Sequence, residues 1–148
     1  MERPDSSREI HRHHVVVSID DEPEVLRSLQ RLLRREPYEF LTTEKPDQAL
    51  DWILQKHASM IIADQRMPSM SGLDLLEIVR HCSPSTVRVM LTAHSELTGI
   101  MKIKKIDAIQ RLLRKPWDSE ELKHCLRELL QEQELSVKGD DLPLAQGN

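Results

Sequence analysis

Five side chains set the chemistry available to this chain: the neighbours Asp20 and Asp21, then Asp64, Thr92 and Lys115. Each stands at or just past the end of a short apolar run. Val15 to Ile19 precedes Asp20, Met60 to Ala63 precedes Asp64, Val87 to Leu91 precedes Thr92, and Ile109 to Leu113 ends shortly before Lys115. If those runs are strands lying side by side, three carboxylates, a hydroxyl and an ammonium meet on one rim. Carboxylates about 5 Å apart repel by roughly 3 kcal/mol per pair at an effective dielectric of about 20, so the arrangement calls for a bound cation. The donors are hard oxygens without imidazole or thiolate, which selects magnesium or manganese over zinc or copper. An incomplete carboxylate shell leaves open positions for water and phosphate oxygens. An aspartate there can attack phosphorus and become an acyl phosphate, while the cation and Lys115 neutralise the transferring oxygens. Thr92 can donate its hydroxyl to a phosphoryl oxygen and so draw the following loop inward. Taken singly, an aspartate after a strand reads as a helix cap and a Lys-Pro pair as a turn. Four strand ends carrying the required chemistry together decide for function.

The elements that must position these groups alternate along the chain. Short runs rich in β-branched residues predict strands at Val15–Ile19, Tyr38–Thr42, Met60–Ala63, Val87–Leu91 and Ile109–Leu113. Between them, helix-period patterns carry Val25, Leu26, Leu29, Leu32 and Leu33, then Ala49, Leu50, Ile53 and Leu54, then Leu75, Leu76 and Val79. Pro23 suits the first turn of the first helix, Pro46 and Asp47 open the second, and Ser71 with Asp74 forms a capping-box-like start for the third. A fourth helix is expected over 95–105, and a fifth begins at Asp118 with Leu122, Cys125, Leu126 and Leu129 on its buried side. Five nearly all-apolar strands alternating with helices imply an α/β fold, a doubly wound parallel sheet covered on both faces. In such sheets the ligand site lies beyond the carboxyl ends of the strands.

The 148 residues fit one domain: a folded core over 15–134, a mobile N-terminal tail over 1–14 and a C-terminal tail over 135–148. Lys and Arg number 21 against 25 Asp and Glu, a formal net charge of −4, which gives no electrostatic basis for direct nucleic-acid binding. Tyr38, Phe40, Trp52 and Trp117 are too few aromatics for a base-stacking platform. Cys82 and Cys125 have no metal-ligand spacing and read as reduced thiols. No apolar run approaches the ~18 residues that cross a bilayer, so neither membrane insertion nor secretion is expected and the location is read as cytoplasmic. His11, His13 and His14 read as solvated tail residues, and Lys102 to Lys105 as a solvated basic helix face. Met67 and Met70 are expected to shape their loop and Trp117 to pack on the last helix.

Over about Val15 to Leu130 these residues resemble the response-regulator receiver domain of two-component signalling. Asp20-Asp21-Glu22-Pro23 is similar to its acidic pair, and Asp64-Gln65-Arg66-Met67-Pro68 with Met70, Gly72 and Leu73 to its phosphoacceptor loop. Leu91-Thr92-Ala93 and Lys115-Pro116-Trp117 match its other two signatures. The resemblance implies a flavodoxin-like strand order 2-1-3-4-5, with Asp64 as the phosphorylated residue and Thr92 and Lys115 as switch and catalytic groups. It further implies Asp21 as a direct Mg2+ (or Mn2+) ligand, Asp20 as a water-mediated one and the backbone carbonyl of Arg66 as a third protein ligand, with a cis peptide between Lys115 and Pro116. A sensor histidine kinase or phosphotransfer protein would be the donor. The domain would not be an enzyme but would assist its own phosphorylation and hydrolysis, and it would signal to a downstream protein by contact. One position departs from the pattern. Leu112 stands where the family usually has Tyr or Phe, so no aromatic ring is available there to swing inward.

Other readings are a phosphorelay intermediate, which would pass its group to another histidine protein, and a phosphorylation-independent interaction module. A metal-dependent phosphatase with an aspartyl intermediate needs a second acid two residues after its nucleophile, where this chain has Arg66.

Overall fold

A computed structural model describes residues 9–93, 95 and 107–147. The elements are β1 (Val15–Ile19), α1 (Pro23–Leu33), β2 (Glu39–Thr43), α2 (Pro46–Gln55), β3 (Met60–Ala63), α3 (Gly72–Cys82), β4 (Val87–Ala93), β5 (Arg111–Lys115) and α4 (Ser119–Gly147). The five strands form one parallel sheet in the order β2-β1-β3-β4-β5, as the alternation of runs and the resemblance led us to expect. The helix expected over 95–105, with its Lys102–Lys105 segment, lies outside the described residues apart from Ser95, as do residues 1–8 of the N-terminal segment.

Successive strand residues face opposite sides, and the core divides accordingly. Val15, Val17, Ile19, Ile61 and Met90 pack with Ala49 and Ile53 of α2 and Leu75, Leu76 and Val79 of α3. Val16, Met60, Ile62, Val89 and Leu91 pack with Leu29 and Leu33 of α1 and Leu122, Leu126, Leu129 and Leu130 of α4. The central strands β1 and β3 are wholly buried, which is why they read as unbroken apolar runs. The edge strands β2 and β5 are only half-buried. Each fully buried Leu or Ile contributes roughly 1.5–3 kcal/mol, so these two layers are the main support of the rim above them.

Three strand ends fall later than their patterns suggest, that of β2 by one residue, at Thr43. β4 continues to Ala93, so Thr92 lies within the strand, paired with Arg114. β5 starts at Arg111 rather than Ile109 and ends on Lys115 itself. The cause is Gln110: its side-chain Oε1 accepts the Arg88 N–H at 2.8 Å and its own N–H donates to the Arg88 carbonyl at 2.8 Å. A side chain thus replaces one of the two main-chain partners at this position, and the regular strand register begins one residue later, at Arg111 opposite Val89.

Helix α4 runs through position 134, where sequence places the core boundary, as far as Gly147. Its residue Glu134 is buried and accepts the backbone N–H groups of His11 (3.0 Å) and Arg12 (2.9 Å) and lies 2.6 Å from His14 Nε2. His14 Nδ1 is 2.6 Å from Ser59 Oγ. His11 and His13 are exposed, but His14 is only 2% exposed, so the reading of all three as solvated does not hold for His14. Among the described residues no helix is long and apolar enough to cross a membrane.

Candidate functional site

Parallel pairing carries the site residues to a common rim. Asp20 and Asp64 each extend their strand by one hydrogen bond: Asp20 N–H donates to the Thr43 carbonyl at 3.3 Å, and Asp64 N–H to the Ile19 carbonyl at 3.1 Å. Their main chains are therefore fixed by neighbouring strands, not by flexible loop. Asp20 Oδ1 also accepts the Glu22 N–H at 2.9 Å, which shapes the turn into α1, whose first residue is Pro23.

The carboxylates of Asp20, Asp21 and Asp64 each bring an oxygen within 4.8 Å of the others. Lys115 Nζ lies 2.9 Å from Asp20 Oδ2, 3.2 Å from Asp64 Oδ1 and 3.7 Å from Glu22 Oε1. One ammonium is thus shared among acids that outnumber it. Burial pushes the Asp64 carboxyl above its ordinary pKa, the Asp20 charge adds to this, and Lys115 offsets part of it. Burial pulls the Lys115 ammonium down, but the bond and charge of Asp20, with those of Asp64, outweigh it and leave it above its ordinary value. Among the described residues the pocket's carboxylates outnumber the lysine that reaches them, and its candidate metal donors are all oxygens. That donor chemistry fits a hard divalent cation.

Thr92 is fully buried, and its hydroxyl has no hydrogen-bond partner among the described residues. An unmade buried hydrogen bond costs about 1–3 kcal/mol, so this group is poised to take an acceptor when one arrives. The Lys115–Pro116 peptide bond is cis. Trp117 packs against the α1–α4 side of the core, and Met67 and Met70 lie against the α2–α3 side, consistent with roles in shape. Leu112, paired with Met90, packs on that same side as a half-buried aliphatic residue.

Arg66 lies in the loop joining β3 to α3, whose neck is tightly closed. Gly72 N–H donates to the Gln65 carbonyl and Leu73 N–H to Gln65 Oε1, both at 2.9 Å. A Cβ on Gly72 would lie 2.1 Å from the Asp64 carbonyl oxygen, so only glycine fits there. Ser71 Oγ accepts the Asp74 N–H at 3.0 Å, the cap expected from sequence. Glu22 and Gln65 were not singled out from the sequence. A carboxylate directly after an acidic pair was the available signal for Glu22.

The chain matches the family model for the response regulator receiver domain over residues 16–127. It is 34% identical to the two-component response regulator ARR10 of Arabidopsis thaliana over 90% of this chain and 24% of that protein. The chain spans about a quarter of the length of the first curated relatives it matches. Among solved structures, the signal receiver domain of an HD domain-containing protein from Pseudomonas fluorescens Pf-5 superposes with a TM-score of 0.79 at 31% identity, covering 88% of this chain and 96% of that one. The response regulator TrrA of Thermotoga maritima, solved in complex with Mg(2+)-BeF, gives a TM-score of 0.70 at 27% identity, covering 78% and 98%.

Proposed function

The chain belongs to the response regulator receiver domain family, and from that premise we propose that Asp64 is its phosphoacceptor, charged from a phosphohistidine on a sensor histidine kinase or phosphotransfer protein. The observation that carries this is the meeting of Asp20, Asp21 and Asp64 within 4.8 Å around a single lysine that reaches two of them. Asp21, Asp64 and the Arg66 carbonyl would hold a magnesium or manganese ion, with Asp20 reaching it through water. The ion's contribution is charge neutralisation on the transferring oxygens.

The chain's own groups do the rest. An Asp64 carboxylate oxygen forms the new bond to phosphorus as the donor's P–N bond breaks, and the released imidazole takes up a proton. Lys115 moves from the acids to a phosphoryl oxygen, keeping its charge throughout. The buried Thr92 hydroxyl donates to another of those oxygens and gains the partner it lacks. Water later attacks phosphorus, the bond to Asp64 breaks, and orthophosphate leaves. Signalling to a downstream protein follows from the new bond made by Thr92.

Intact mass after incubation with acetyl phosphate and magnesium tests this reading. Wild type is expected to gain one phosphoryl group and Asp64→Ala none. No gain in wild type, or a gain in both, would overturn it.

Leu112 favours a second reading, an interaction module whose contacts do not depend on phosphorylation, because no ring at that position can follow Thr92 inward. Backbone amide shifts on adding magnesium and beryllofluoride separate the two. Changes confined to the acidic rim fit the module; changes reaching α3, β5 and α4 fit the switch.

A further inference from the structure

A helix begins with backbone N–H groups that have no partner inside the helix. In α3 the first three are Gly72, Leu73 and Asp74, and each has an acceptor. The Ser71 side chain takes Asp74 N–H, and its carbonyl takes Leu75 N–H one residue further on. The other two are served by one residue outside the helix: the Gln65 carbonyl takes Gly72 N–H and Gln65 Oε1 takes Leu73 N–H. Gln65 is bonded directly to Asp64. The residue that closes the helix start is therefore the one that sets the peptide plane next to the phosphoacceptor.

Between these tie points the chain makes a loop over 66–71, in which Arg66, Pro68 and Ser69 are exposed. Met67 and Met70 pack it onto the core. Gly72 lies so close to the Asp64 carbonyl that even a Cβ would meet it, at 2.1 Å, so the start of α3 is packed directly on the main chain of Asp64. The neck is thus braced twice, by the main-chain and side-chain oxygens of one glutamine.

We propose that Gln65 is a positioning residue: its side-chain oxygen, through Leu73 N–H, holds the β3–α3 loop so that the Asp64 carboxylate and the Arg66 carbonyl are presented together to a divalent cation. The inference rests on the reading of Asp64 given above. Removing the acceptor leaves the acids and Lys115 in place but lets the loop sample other arrangements, so the cation binds less tightly. Once cation is saturating, the phosphorylation rate returns, because Gln65 touches no reacting atom.

The test uses the full chain as wild type, Gln65→Met, which keeps length but has no oxygen, and Gln65→Glu, which keeps an acceptor. High salt screens the charge added by glutamate. Three quantities are read: Leu73 amide hydrogen exchange, calorimetric Mg2+ affinity, and the acetyl-phosphate reaction rate across magnesium concentrations. Gln65→Met should speed Leu73 exchange, weaken Mg2+ binding about fivefold, the worth of one ordinary hydrogen bond, and leave the saturated rate within about twofold of wild type. Gln65→Glu should behave as wild type. Faster Leu73 exchange with unchanged Mg2+ affinity would overturn the positioning role alone, as would a Gln65→Glu protein as weak as Gln65→Met. A wild type that neither binds Mg2+ nor accepts a phosphoryl group would overturn the role together with the reading of Asp64.

Discussion

At the residue scale the pocket is a set of unresolved demands: acids short of cations, and a hydroxyl short of an acceptor. Thr92 shows how this differs from ordinary packing. Its Oγ1 is buried without a partner among the described residues, so replacing it with the near-isosteric valine removes a desolvated polar group and leaves no new one. Thr92→Val is expected to keep its stability or gain up to about 1 kcal/mol in urea unfolding, while losing the amide-shift response to beryllofluoride beyond the rim. A loss of more than about 1 kcal/mol would show that the hydroxyl already has a structural partner. These chemical groups were legible from sequence because each follows an apolar run whose end is easy to see. The apolar run of the fifth strand stops at Leu113, two residues before Lys115, whereas Lys115 is the last residue of β5. A Gln side chain substituting for backbone in the ladder leaves no periodic trace.

At the scale of elements, the decisive contact is that of β3 with the start of α3. Glycine in a helix is worth about 1 kcal/mol less than alanine, so Gly72→Ala gains by propensity. The added Cβ would meet the Asp64 carbonyl oxygen at 2.1 Å and its carbon at 2.8 Å, both main-chain atoms that cannot swing aside. Overpacking of this kind costs about 1–3 kcal/mol or more, and here it wins. Gly72→Ala is expected to be destabilised by about 2 kcal/mol net, measured by urea unfolding, and to accept phosphoryl groups more slowly in the acetyl-phosphate mass assay. An alanine variant as stable as wild type would mean that the neck is slack. The cap at Ser71 was visible in the sequence because capping rules inspect the residue beside the helix. The second cap was not, because Gln65 acts from eight residues upstream of Leu73.

At the scale of the whole molecule, the strand pattern alone gave the two-faced parallel sheet, because central strands buried on both sides leave a continuous apolar signature. It could not reveal the junction of His11, Arg12 and His14 with Glu134, more than a hundred residues away along the chain. Burial pushes the Glu134 carboxyl up, but the His14 bond, the Arg12 and His11 N–H groups and the His14 charge outweigh it and hold it below the ordinary 4.5. A carboxylate whose folded pKa is depressed stabilises fully above its unfolded pKa and loses that contribution as pH falls through the folded value. Glu134→Ala is expected to cost about 2–3 kcal/mol at pH 7, since it leaves the buried His14 ring nitrogen and two part-buried N–H groups without their partner. The gap from wild type should narrow below about pH 4, as urea titrations at the two pH values would show. A gap unchanged in acid would mean that Glu134 is not bound as an anion. This junction sits at the amino ends of the strands, whereas the acids sit at their carboxyl ends, about 17 Å away across the five-residue β1. It therefore works as a mechanical clasp. Opposed tension applied at residues 9 and 147 would load the clasp before any strand could slide, and a fluorophore attached near either position would report on the clasp without crowding the phosphoryl chemistry.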